Sequence, residues 1–173
     1  MDNKPIFDVV RALLKAHNPS WTTFTPVEIA QLDAAIAKVV KPVVEAKFEF
    51  SERSLKNLSE VHPHLQAVIN LALVKSDTDF LVYEGGRTLA EQKKLVAEGA
   101  SQTMNSRHLT GHAVDVVPLI EGEVRWDWPL YRKLAVAIKA ASKELNIPIE
   151  WGGDWRRFKD GPHWQLPFKE YPK

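Results

Sequence analysis

Ser106-Arg107-His108-Leu109-Thr110-Gly111-His112-Ala113-Val114-Asp115-Val116-Val117-Pro118 admits two local folds, and the choice decides which residues share a site. His108 and His112 are four apart, the spacing that on a helix places two imidazoles on one face, as in the H-E-x-x-H metal motif. Gly111 between them and the β-branched run Val114, Val116, Val117, closed by Pro118, oppose a helix and predict a turn leading into a strand. In a strand, Ala113, Asp115 and Val117 share one side, and His112, Val114 and Val116 share the other. Asp115 and His112 then point apart, and only one of them can join His108. A carboxylate amid valines needs a partner, because an unpaired buried carboxylate is costly, so Asp115 is the choice.

Downstream, Asp160-Gly161-Pro162-His163 places an acid and an imidazole on one short segment that Gly161-Pro162 keeps non-helical. Zinc hydrolases need three N or O ligands, an open fourth position for water, and a carboxylate beside that water to handle its proton. His108, Asp115 and His163 can supply the ligands and Asp160 the carboxylate; two histidines, one aspartate and an open position suit Zn2+. The chain has no cysteine, hence no rival thiolate site and no disulfide. Glu150 and Asp154 compete with Asp160 for the role of base. Both adjoin the Trp151-Gly152-Gly153 turn, where a carboxylate commonly satisfies backbone amides, and neither is as near a ligand. Asp127 and Glu121 to Glu123 lack the D-x-D-x-D-G pattern of a calcium loop and read as a solvated hairpin.

Working outward, Asp79 to Glu84 alternates as a strand, with Arg87 just past its end. Thr88 to Glu91 forms a capping box for a helix through Leu95 and Val96, which Gly99 is placed to end. Leu65, Val68, Ile69, Ala72 and Leu73 mark an earlier helix. Val116 to Val124 reads as a hairpin turning at Glu121-Gly122. Pro129 opens a long helix with Tyr131, Leu134, Ile138 and Leu145 on one face, and Pro148 to Trp151 returns as a strand. Helices and strands alternate without βαβ regularity, which predicts an α+β fold with a small antiparallel sheet and helices packed on it.

Before that region, Ile6, Val9, Val10, Leu13 and Leu14 follow helical spacing until Asn18-Pro19-Ser20. A second helix starts at Thr25-Pro26-Val27-Glu28, carries Ile29, Leu32, Ile36, Val39 and Val40, and ends at Lys41-Pro42. Residues 1 to 46 hold five acidic and five basic residues and read as an N-terminal helical segment, with residues 47 to 173 as the catalytic domain. Two such helices cannot enclose a core. A packing arm is preferred over a wall-binding module, for which Trp21 and Phe24 are the sole large candidates.

With 173 residues and 45% hydrophobic content the chain can bury a real core. Lys plus Arg total 23 against 22 Asp plus Glu, with no concentrated basic patch, which argues against nucleic acid as a partner. Met1 to Pro5 is not followed by a signal-peptide pattern and no run reaches the length of a membrane span. The expectation is synthesis in the cytoplasm without a signal peptide and no stable membrane insertion.

The pattern S-x-H-x-x-G-x-A-x-D (Ser106 to Asp115) with D-x-x-H (Asp160 to His163) resembles the zinc-dependent D-Ala-D-Ala carboxypeptidase and L-alanyl-D-glutamate peptidase family, above all its phage endolysins. The resemblance runs from about Phe50 to Leu166 and includes Glu84-Gly85-Gly86-Arg87-Thr88, Glu91-Gln92, Trp151-Gly152-Gly153-Asp154-Trp155 and His163-Trp164. It implies a sheet floor, helices on one side and zinc in a cleft above, with His108, Asp115 and His163 as ligands and Asp160 as catalytic acid/base. It also implies a role for Arg87, whose guanidinium fork suits a substrate carboxylate or a developing oxyanion; the alternative is a salt bridge closing the Glu84 to Arg87 turn. Ser106 either contacts substrate, orients a ligand or caps a turn, and Trp164 either walls the site or packs in the core. The implied activity is hydrolysis of the L-alanyl-D-glutamate bond of the peptidoglycan stem peptide, lysing a bacterial host. Two alternatives stand beside it: a D-alanyl-D-alanine carboxypeptidase using the same zinc, and a catalytically idle zinc-stabilised wall-binding module. For a phage lysin, access to the wall in the periplasm would rely on a holin.

Overall fold

The valine-rich run forms the central strand of a five-stranded sheet, and the computed structural model describes it together with the rest of residues 47–172. The helical pair expected over residues 1 to 46 lies outside the described residues. Strand β1 (Phe80–Glu84) and strand β2 (Ala113–Ile120) pair antiparallel, and β3 (Glu123–Val124) folds back on the far end of β2. Glu121 and Gly122, both at positive φ (53° and 82°), make the hairpin turn that the sequence places there. On its other edge β2 pairs with β5 (His163–Gln165), which in turn pairs with β4 (Glu150–Trp151), giving the order β1-β2-β5-β4.

Alternation along β2 divides the sheet into two chemically different faces. Val114 and Val116 are fully buried and lie with Phe80, Val82 and Trp164 in the core. Two helices cover that face: α2 (Pro63–Lys75) contributes Leu65, Val68, Ile69 and Ala72, and α4 (Trp128–Leu145) contributes Tyr131, Leu134, Ile138 and Ala141. Proline in the first turn starts each, with its fixed φ and missing N–H where no intrahelical partner exists. Leu145, expected on the buried face of α4, is 38% exposed; it is the last residue of the helix, one turn beyond Ala141, the last that α4 buries.

Two shorter helices flank β1. Helix α3 (Leu89–Ala97) has the complete Thr88/Glu91 capping box, and Gly99 follows its C-cap at φ 73°. Helix α1 (Glu52–Ser59) has no counterpart among the sequence expectations, because its eight mostly polar residues bury only Ser54 and Leu58. It holds β1 through polar contacts instead. Asn57 Nδ2 donates to the carbonyls of Val82 (3.0 Å) and Tyr83 (2.9 Å), and Ser54 Oγ accepts from Val82 N–H (3.2 Å). Strand β1 is an edge of the sheet, and the Val82 groups face its open side, where α1 rather than a neighbouring strand meets them.

Ile138→Ala should cost about 2–5 kcal/mol in chemical denaturation, through lost burial and the cavity left behind. Val136→Ala, two residues away but 72% exposed, should stay within about 0.5 kcal/mol. Equal effects of the two would contradict this assignment of the core face.

Candidate metal centre and cleft

Asp115 and His163 are direct cross-strand partners in the β2–β5 ladder, so both side chains stand on the sheet face opposite the core. His108 reaches the same point from a 3-10 turn, Arg107–Thr110, that precedes β2. The turn ends at Gly111, whose φ of 67° favours glycine, and a Cβ there would come within 2.9 Å of the Glu60 carbonyl oxygen. His108 Nε2 lies 3.4 Å from Asp115 Oδ1, His163 Nδ1 lies 3.2 Å from the same oxygen, and the two nitrogens are 3.2 Å apart. Among the described residues this trio is the one group of three His, Cys, Asp or Glu side chains whose ligand atoms converge on a metal-sized space.

The outer ring atoms settle which nitrogens face inward. The Gly85 carbonyl can only accept, so the 2.7 Å contact makes His108 Nδ1 the protonated nitrogen and leaves a lone pair on Nε2. Gln165 turns its NH2 to Glu150 Oε2 (2.7 Å), which leaves its oxygen to accept from His163 Nε2 at 3.1 Å. Nδ1 of His163 therefore presents a lone pair too. Two imidazole lone pairs and a carboxylate oxygen face one another with no donor among them, a donor set that a divalent cation completes.

A proton can take the cation's place, turning an inward ring nitrogen into a donor to Asp115, so protons compete with a cation for the same atoms. Burial alone would raise the Asp115 carboxyl, but hydrogen bonds and charge from His108 and His163 hold it well below the usual carboxylate range. For His163, burial lowers the pKa and the hydrogen bond to Asp115 outweighs it, so the imidazole is held above its ordinary value.

The remaining expected residues either line the cleft around this centre or lie away from it. Asp160 lines the same cleft, where burial and then the Asp115 charge push its carboxyl up, against His163, His108 and Arg87. Gly152 makes this possible: a Cβ there would meet the Asp160 carbonyl at 2.6 Å and His163 Cβ at 3.1 Å. Arg87 also borders the cleft, yet it is clamped by both Glu84 oxygens (2.5 and 2.6 Å) and by Gln92 Oε1 (2.6 Å). The salt bridge closing the Glu84 to Arg87 turn is thus present. Ser106 borders the cleft while its Oγ caps the 3-10 turn, accepting from His108 N–H.

Of the two places open to Trp164, site wall or core, the structure gives the core, and a substrate contact is ruled out for it. As the neighbour of His163 in a strand it points to the opposite face, where it is 1% exposed and stacked on Trp151, so it touches no cleft. The indole beside the centre is Trp155, 5.1 Å from the His163 ring. His112 lies outside the cleft lining, its Nδ1 on Thr110 Oγ1 and its ring beside His62. Of the competing bases, Asp154 is paired with Lys139 and Glu150 holds Gln165. Sequence reasoning missed Gln165; its signal was a polar residue two positions after a ligand, hence on the ligand's own strand face. The whole cleft has a volume of about 550 Å³.

A family model described as phage L-alanyl-D-glutamate peptidase matches residues 46–165, and the chain belongs to this family. The L-alanyl-D-glutamate peptidase of Escherichia phage T5 is 37% identical over 117 residues, covering 65% of this chain and 85% of that protein. Its counterpart in a Listeria phage is 38% identical over 125 residues, covering 70% of this chain but 43% of the longer relative. Among solved structures, the Serratia marcescens L-Ala D-Glu endopeptidase ChiX superposes with a TM-score of 0.70 at 50% identity, covering 76% of this chain and 98% of that one.

Gln165→Ala should leave the fold intact by circular dichroism and weaken zinc binding about 10- to 100-fold in chelator competition, because His163 loses the acceptor that fixes its tautomer. Unchanged affinity would remove Gln165 from the metal's support.

Proposed function

We propose that the chain is a zinc-dependent peptidoglycan peptidase that hydrolyses the L-alanyl-D-glutamate bond of the stem peptide, acting as an endolysin on the bacterial wall. The observation carrying this reading is the trio of inward-facing lone pairs beside a free-standing carboxylate in an open cleft. The activity named for its relatives supplies the bond. Three protein ligands rather than four favour a catalytic over a structural metal. His108, Asp115 and His163 would hold the ion; when bound it supplies a Lewis acid that acidifies water and polarises the scissile carbonyl.

The chain's own groups do the rest. The Asp160 carboxylate accepts the proton of the attacking water and returns it to the departing D-glutamate nitrogen, a task suited to a carboxyl raised by burial. Arg87 is immobilised by Glu84 and Gln92, which occupy three of its five N–H groups. The remaining hydrogens and the charge are offered to the substrate carbonyl oxygen as it becomes negative. Ser106 acts through the turn that carries His108, and the Trp155 ring shields the His163 side of the cleft.

No helix among the described residues is long and apolar enough to cross a membrane. An endolysin made in the host cytoplasm reaches the wall through a holin, and that route is part of the proposal. Residues 1 to 46 would serve as a helical appendage to the catalytic domain in 47 to 173.

Asp160→Asn should retain zinc at parental stoichiometry and lose about 10²- to 10⁴-fold in the rate of L-alanyl-D-glutamate cleavage, read by mass spectrometry of digested sacculi. A parental rate would assign the base elsewhere. Chelation should abolish cleavage and added Zn2+ restore it; release of free D-alanine instead of stem peptides lacking L-alanine would replace the proposed bond.

A further inference from the structure

Two cationic side chains border the cleft, and they differ in what they still have to offer. Arg87 has three of its five N–H groups taken by Glu84 and Gln92, and its charge is balanced by Glu84. Arg107 is 2% exposed, yet it makes one hydrogen bond, from Nη2 to the Leu166 carbonyl (2.8 Å), and its Nε and Nη1 have no partner. Among the described residues no acidic side chain forms an ion pair with it; the Glu150 charge acts on it from farther off, while Glu150 Oε2 accepts from Gln165. Its guanidinium lies 4.3 Å from the centroid of the Phe168 ring, itself 44% exposed and part of the cleft wall. A guanidinium is always charged, and burying it with most of its donors idle is unfavourable unless something repays the cost.

The substrate of the proposed reaction carries a fitting group. A glutamyl residue within a peptide uses its nitrogen in the scissile bond and one carboxyl in the onward link, so its other carboxyl remains free and anionic close to the reacting atoms. Every carboxylate of the protein that borders the cleft is engaged with His108 and His163, with Arg87, or in Asp160's proton handling, so none competes for Arg107. We propose that Arg107 is the specificity-determining seat for this free carboxylate, which pairs with Nε and Nη1 as the Phe168 side chain turns aside. The position next to His108 in sequence ties the seat to the metal-holding turn, so recognition of glutamate and alignment of the bond are set by one segment. The inference rests on the L-alanyl-D-glutamate reading but is tested separately from it.

The test uses the zinc-loaded full chain carrying Asp160→Asn, which holds peptides uncleaved, and two probes: L-alanyl-D-glutamyl-L-lysine with its second glutamate carboxyl free, and the same peptide with that carboxyl amidated. Calorimetry should show the acid binding about 10- to 100-fold more tightly than the amide, the worth of a charge-assisted hydrogen-bonded pair. In Asp160→Asn/Arg107→Met that ratio should fall to near one with zinc content unchanged, and Arg107→Lys should restore part of it. Equal binding of acid and amide before Arg107 is touched, a ratio that survives Arg107→Met, or binding of neither peptide would each overturn the proposal. If Arg107→Met fails to fold, the acid-to-amide ratio in the Asp160→Asn background and its fall in Arg107→Lys still decide the matter. Hydrolysis by the parental chain reports on the bond assignment alone: cleavage without discrimination sinks the Arg107 seat, and discrimination without cleavage sinks the peptidase reading.

Discussion

The pairing of Asp115 with His163 across two antiparallel strands is the constraint on which the rest of the structure depends. It puts an oxygen and a nitrogen ligand side by side on one face, and its neighbours hold it there. Val114 and Trp164, the next pair in the register, point the other way into the core and are buried almost completely. Slipping either strand by one residue would exchange the faces, exposing valines at roughly 1.5–3 kcal/mol each and burying a carboxylate at a cost of several kcal/mol more. The apolar packing under α2 and α4 therefore fixes the position of the metal ligands from the opposite face of the sheet.

The third ligand arrives by a different device. His108 is held by the turn ending in Gly111 and by the Gly85 carbonyl at the end of β1, the edge strand that α1 grips through Asn57. Helix α1 thus acts on the site at one remove: Asn57 holds the end of β1, and its carbonyl lies so close to Gly85 that no Cβ would fit there. On the opposite side, Glu150 orients Gln165 and Gln165 orients His163. Both imidazoles have their outer nitrogens assigned by groups that leave one option each, so the inner lone pairs are in place before any ion arrives. Such preorganisation spares the binding event the work of choosing tautomers.

Much of this was legible in the sequence because it rests on short-range rules. Strand alternation separated Asp115 from His112, the Thr88/Glu91 box and Gly99 bounded a helix, and Glu121-Gly122 marked a hairpin. What escaped was tertiary. Helix α1 is short and mostly polar and is held in part by polar contacts with a strand more than twenty residues away, which no local pattern encodes. Adjacency to His163 left Trp164 open between the site wall and the core, whereas alternation, the same rule that placed Asp115, sends it into the core. The free donors of Arg107 and the engaged ones of Arg87 look alike in sequence; only the neighbours that occupy or leave them distinguish the two.

The central claim is that three particular atoms, His108 Nε2, Asp115 Oδ1 and His163 Nδ1, form one open metal site. Diffraction from zinc-loaded crystals, with anomalous scattering recorded on both sides of the zinc absorption edge, tests it most directly. The account predicts one strong peak about 2.0–2.2 Å from each of the three atoms, with a fourth position left to solvent. A peak bound by His112, by Nε2 of His163 or by a fourth protein side chain would contradict it.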